Sequence, residues 1–203
     1  MPTPMSGTLV RIVDDDEAMR RSYAFMLSMA GWPVVLYEDA RDFLARDDLH
    51  TPGCVILDVR MPSISGLELQ QRLKALNSVV PLIFVTGHGD VDMAVRAVKE
   101  GAFDFMLKPV DPERLKAAVS SACERALAAQ APANEQAARW AQLSPREKEV
   151  FALVAQGHLN KTVAFELGIA ERTVKFHRAS ACRKLGLRTP QEIAAFWIAF
   201  NER

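Results

Sequence analysis

Four apolar runs in this 203-residue chain each end in a polar residue able to do chemistry. Residues 9–13 run into Asp14-Asp15-Asp16, 54–57 into Asp58, 81–85 into Thr86 and 103–107 into Lys108. If each run is a strand of one parallel sheet, these residues project from its carboxyl edge, where open α/β sheets place their ligand crevice. Three carboxylates crowded there (Asp14, Asp15 and Asp58) repel unless a divalent cation sits among them, and an all-oxygen ligand set suits Mg²⁺. With the cation bound, Asp58 can attack a phosphoryl group, Mg²⁺ and Lys108 can neutralise its charge, and Thr86 can hydrogen-bond a phosphoryl oxygen. That is aspartyl-phosphate chemistry. Taken singly, each residue has a plainer reading, as a turn, a strand residue or a solvated end; the combination carries the chemistry.

Bringing those ends together requires helices between the strands. Ala18, Met19, Ser22, Tyr23, Met26, Leu27 and Ala30 have helical spacing, closed by Gly31, and residues 34–37 form a further strand before a short amphipathic segment with Ala40, Phe43 and Leu44. Gly66 opens a helix carrying Leu67, Leu69, Leu73 and Leu76, Asp90 caps one carrying Met93, Ala97 and Val98, and Asp111-Pro112 starts a last one. Five strands alternating with five helices predict a doubly wound, flavodoxin-like parallel sheet.

The chain carries 25 Lys and Arg against 25 Asp and Glu, but the balance is uneven. Residues 1–125 hold 14 basic and 18 acidic side chains, residues 126–203 hold 11 and 7, and from His158 to Pro190 the ratio is 7 to 2. An acidic front joined to a basic back predicts two modules with different partners, nucleic acid for the second. No run approaches the ~18 apolar residues of a membrane span and no basic-then-apolar leader opens the chain, so a cytoplasmic protein without membrane contact is expected. Cys54, Cys123 and Cys182 are too few and too scattered for a disulfide framework or a zinc site.

The stretch 123–139 is alanine-rich and contains Pro132, which predicts a helical extension to about residue 130 and then a short linker. Ser144-Pro145-Arg146-Glu147 and Thr189-Pro190-Gln191-Glu192 are capping boxes with proline at the first helical position. Between them, a helix capped by Asn160 and stopped by Gly168, followed by one over residues 171–185, reads as helix-turn-helix. On the second of these, Val174, Ala181 and Leu185 share an inner face, leaving Arg172, Lys175, Phe176, Ala179 and Arg183 outward. That basic face suits a major groove, with Phe176 able to touch a thymine methyl.

The set Val13-Asp14-Asp15-Asp16, Leu57-Asp58-Val59-Arg60-Met61-Pro62 with Ser65-Gly66, Val85-Thr86-Gly87, and Phe105 with Lys108-Pro109 resembles the receiver domain of two-component response regulators over residues 6–125. Leu143-Ser144-Pro145-Arg146-Glu147, Gly157, Asn160-Lys161, Glu166-Leu167-Gly168-Ile169 and Glu171-Arg172-Thr173-Val174-Lys175 with His177-Arg178 resemble the LuxR-type DNA-binding domain over 143–203, leaving 126–142 as helical extension and linker. Together these resemble the NarL/FixJ class, nearest its FixJ-like branch. The resemblance implies that Asp58 accepts phosphate from a sensor histidine kinase, and that Asp14, Asp15, Asp58 and the Arg60 backbone carbonyl surround Mg²⁺. It implies a cis Lys108-Pro109 peptide, and Thr86 and Phe105 as switch residues. It also implies DNA contacts at Lys161, Thr173, Lys175, Phe176 and Arg178, which Arg183 joins from the basic face, and a homodimer on a two-fold double-stranded site.

Two features depart from that pattern: Ala170 stands where a serine often caps the recognition helix, and Ala179 cannot hydrogen-bond a base. An alternative from another class is a haloacid-dehalogenase-type phosphatase with Asp14 as nucleophile in Asp14-x-Asp16. Glu17-Ala18 then stands in place of the usual glycine and threonine. A regulator working without phosphate is a third.

Overall fold

The computed structural model describes residues 7–201, the side chain of Ala133 excepted, so residue 6 and residues 202–203 of the expected domains lie outside the described residues. Two compact units divide the chain between Gln130 and Ala131.

The first unit has five parallel strands: β1 (Leu9–Val13), β2 (Val34–Tyr37), β3 (Gly53–Leu57), β4 (Leu82–Thr86) and β5 (Asp104–Leu107), in the order β2-β1-β3-β4-β5. Helices α1 (Glu17–Met29), α2 (Ala40–Arg46), α3 (Gly66–Ala75) and α4 (Val91–Lys99) fill the crossovers, and α5 (Pro112–Ala141) follows β5. Side chains alternate across a strand, so a central strand covered on both faces is apolar throughout. In β3, Cys54 and Ile56 join a core with Tyr23 and Leu27 of α1 and Leu115 and Val119 of α5. Val55 and Leu57 join the opposite core with Phe43 of α2, Leu69 and Leu73 of α3 and Ala97 of α4. Chain order in the sheet reverses at β1 and β3, which puts the switch-point crevice above Asp14 and Asp58.

β1 carries an exception. Arg11 is fully buried, its Nε 2.7 Å from Asp47 Oδ2, while the Tyr37 hydroxyl donates to the same carboxylate oxygen at 2.6 Å.

The second unit contains the end of α5, then α6 (Pro145–Ala155), α7 (Asn160–Leu167), α8 (Glu171–Leu185) and α9 (Pro190–Asn201). The expected break near Pro132 is absent, and α5 remains helical to Ala141. Proline removes one backbone donor and disturbs the preceding turn, but the alanines around it are the best helix formers. Trp140, near the end of α5, packs its ring 4.8 Å from Phe200 and 5.6 Å from Phe151, within the core of this unit.

Candidate functional site

The carboxyl edge of the sheet collects Asp14, Asp15 and Asp58, each offering an oxygen within 4.8 Å of the others. Asp14 is 2% exposed and Asp58 9%, while Asp15 is exposed. Each is set by its own loop. Asp16 caps α1, accepting from the N–H groups of Ala18 and Met19, and its own N–H donates to Asp14 Oδ1 at 2.9 Å. The Asp58 N–H donates to the Val13 carbonyl at 2.9 Å and that of Arg60 to Asp58 Oδ1 at 3.3 Å. Gly66 is required behind it, since a Cβ there would lie 2.2 Å from the Asp58 carbonyl oxygen.

Lys108 reaches in from β5 across a cis bond to Pro109. Its Nζ donates to Asp14 Oδ2 at 2.7 Å and Asp58 Oδ2 at 3.2 Å. Burial pushes the Asp14 carboxyl up, more than its bonds to Lys108 and the Asp16 N–H pull it down. The same burial acts against the Lys108 ammonium, but its two carboxylate partners outweigh it and raise its pKa. Three hard oxygen donors so close together fit a divalent cation such as Mg²⁺.

Thr86 is fully buried, and its hydroxyl accepts from the His88 N–H at 3.3 Å. Phe105 is half-buried beside Phe84, ring centroids 6.0 Å apart, and its ring lies so close to Gly89 that a Cβ there would approach within 2.9 Å. Two neighbours of the cluster were not singled out by sequence reasoning. Arg20 is 9% exposed and donates to the Asp14 carbonyl at 2.6 Å, and Tyr23 is 7% exposed with a hydroxyl that has no partner among the described residues. Their signal was the inward stripe Arg20, Tyr23, Leu27 on α1.

In the second unit α7 and α8 form the helix-turn-helix. Val174, Ala181 and Leu185 are buried, and Arg172, Lys175, Ala179 and Arg183 are exposed with Phe176 at 70%. Lys175 Nζ lies 3.0 Å from Glu171 Oε1; Lys161 is exposed and Thr173 half-buried. Asn160 does not cap α7: it is the first helical residue, the cap position is Leu159, and its side-chain oxygen accepts from Arg178 at 3.2 Å. Arg178 therefore joins α8 to α7. Ala170 supplies no side-chain cap to α8, as expected. Glu147 serves more than its capping box: it accepts from Ser180 at 2.6 Å and Lys184 at 2.7 Å, fixing the start of α6 to α8. Bonds from Lys184 and then Ser180 hold its carboxyl down at about 2.

Residues 10–120 match the response regulator receiver domain, and residues 141–197 match the bacterial regulatory proteins of the luxR family. The transcriptional regulatory protein FixJ of Bradyrhizobium diazoefficiens is 43% identical over 91% of this chain and 91% of its own. The chain belongs to the two-component response regulators with a LuxR-type DNA-binding domain. The response regulator protein TodT of Pseudomonas putida is 40% identical to this regulator over 92% of the chain and 84% of its own. Among solved structures, full-length FixJ from B. japonicum matches with a TM-score of 0.56 at 40% identity, covering 98% of this chain and 100% of its own. StyR matches at 0.63 and 36%, covering 96% and 98%. This regulator is therefore a transcription factor of a two-component system; its domains imply a kinase partner and DNA binding. Among the described residues no helix is long and apolar enough to cross a membrane.

Proposed function

We propose that Asp58 is the phospho-acceptor of this regulator and that its phosphorylation controls DNA binding by the second unit. The observation that carries the reading is the convergence of Asp14, Asp15, Asp58 and Lys108 at one sheet edge, drawn from three strand ends far apart in sequence. An Asp58 carboxylate oxygen forms the new bond to phosphorus as the bond to the kinase histidine nitrogen breaks, and the electron pair leaves with that nitrogen. Lys108 is placed to pair with a phosphoryl oxygen, because it already touches Asp58 Oδ2. Asp14, Asp15, Asp58 and the Arg60 carbonyl would hold Mg²⁺, which when bound supplies charge neutralisation of the transferred group.

The hydroxyl of Thr86, now engaged by His88, would exchange that partner for the phosphoryl group, and Phe105 would follow it inward. The receiver, residues 6–125, is thus biased between two states. The DNA-binding domain, 143–203, would read DNA through Lys175 and Phe176 and hold phosphates through Lys161, Thr173, Arg178 and Arg183, as a dimer on a two-fold site in the cytoplasm. Intact-protein mass after incubation with Mg²⁺ and acetyl phosphate tests the reading. One phosphoryl adduct that disappears in Asp58→Ala and accompanies dimeric DNA binding is expected; an adduct that persists in the variant overturns it.

A further inference from the structure

Arg20 occupies a position that helix electrostatics disfavour. It is the fourth residue of α1, near the positive end of the helix dipole, where a cation is unwelcome. It is nine-tenths buried, and among the described residues its guanidinium makes no ion pair. Among the described residues its side chain makes one hydrogen bond, from Nη1 to the backbone carbonyl of Asp14 at 2.6 Å. Burying an arginine with a single carbonyl partner and no paired carboxylate is costly, which singles that contact out.

We propose that Arg20 is a positioning residue for the cation site, clamping the turn from which Asp14 projects; this rests on the acidic cluster being the Mg²⁺ site. Asp14 is held at both ends, its carboxylate by the Asp16 N–H and its carbonyl by Arg20. Both holders come from the start of α1, Asp16 as the cap and Arg20 one turn on, so they orient the carboxylate as a unit with the helix. Losing a partner that orients a metal ligand typically costs about 10–100-fold in metal affinity. Arg20 is also a positive charge bonded to the backbone of one of the three acidic residues. A charge acting alone would oppose a second cation, whereas a clamp favours it, so the two roles predict opposite signs.

The test is calorimetric Mg²⁺ binding to the full chain, comparing wild type, Arg20→Met and Arg20→Lys, with thermal unfolding in parallel. The clamp predicts that Arg20→Met weakens Mg²⁺ binding by about 10–100-fold. The Mg²⁺ half-saturation for acetyl-phosphate labelling should rise by the same factor while the plateau at saturating Mg²⁺ is kept. Unchanged or tighter binding by Arg20→Met overturns the inference while leaving the cation site standing. If Arg20→Met does not fold, Arg20→Lys decides. It keeps the charge but loses the planar, longer donor, so weaker binding supports the clamp and wild-type binding overturns it. A wild-type protein that binds no Mg²⁺ overturns the cation site, and this role with it.

Discussion

Lys108 Nζ lies 3.2 Å from Asp58 Oδ2, so the proposed nucleophile is already paired with the cation proposed to receive the phosphoryl charge. The ammonium also holds Asp14 at 2.7 Å, so it would compete with the proposed Mg²⁺ for the same oxygens as well as aid the proposed transfer. Lys108→Met should therefore tighten Mg²⁺ binding several-fold at low ionic strength while reducing phosphoryl labelling of Asp58. Calorimetry and intact mass on the same samples check both signs; weaker Mg²⁺ binding would show that the lysine organises the carboxylates instead of competing for them.

Tyr23 presents a hydroxyl that is buried beneath this cluster and makes no hydrogen bond among the described residues. Tyr23→Phe removes that unsatisfied group without opening a cavity, so the variant should be as stable as wild type or more stable by up to about 1 kcal/mol. Thermal denaturation measures it, and a clear loss of stability would mean the hydroxyl has an acceptor in solution.

Glu147 gives the second unit its own acid sensitivity. Its folded pKa of about 2 lies below the ordinary value of 4.5, so the stability it adds is fully present above pH 4.5. That contribution is lost as pH falls from about 4.5 towards 2. Glu147→Gln should be destabilised at neutral pH and show a flatter acid-unfolding profile, followed by the fluorescence of Trp140 and Trp197. A variant as acid-labile as wild type would move the effect to another carboxylate.

On the DNA side, exposed Lys161 and exposed Phe176 should fail differently. Lys161→Ala, as a lost phosphate contact, should weaken binding to all sequences alike and reduce the salt slope by about 1. Phe176→Ala should leave the salt slope unchanged and relax base preference near the site of a thymine methyl. Titrations at several salt concentrations against specific and scrambled duplexes distinguish them.

The strands and the residues at their ends were legible in the sequence because each signal is local: an apolar run, then one polar residue. Ser144 and Thr189 announced their helices for the same reason, and both boxes form as expected. What sequence reasoning missed depends on partners distant along the chain. Arg11 is one charged residue inside the first apolar run, and nothing near it in sequence announces Asp47, from the end of α2, which closes over it. Glu147 looks like half of a capping box until Ser180 and Lys184 arrive from α8. Asn160 has the chemistry of a helix cap, but Arg178 takes its side-chain oxygen, and the helix begins one residue earlier than that role needs. Pro132 failed as a stop signal because helix propensity summed over its alanine neighbours exceeds the loss of one donor.

Neither α7 nor α8 has a side-chain cap hydrogen bond among the described residues, since Leu159 and Ala170 occupy the cap positions. Two helix mouths of one DNA-binding unit thus lack a side-chain cap, and a donor held by no acceptor in its own chain exchanges its proton with water readily. A duplex phosphate at either mouth would complete the turn from outside. The start of α8 should then be the part of this unit whose amide exchange slows most when DNA arrives, so that the nucleic acid finishes the folding of the element proposed to read it.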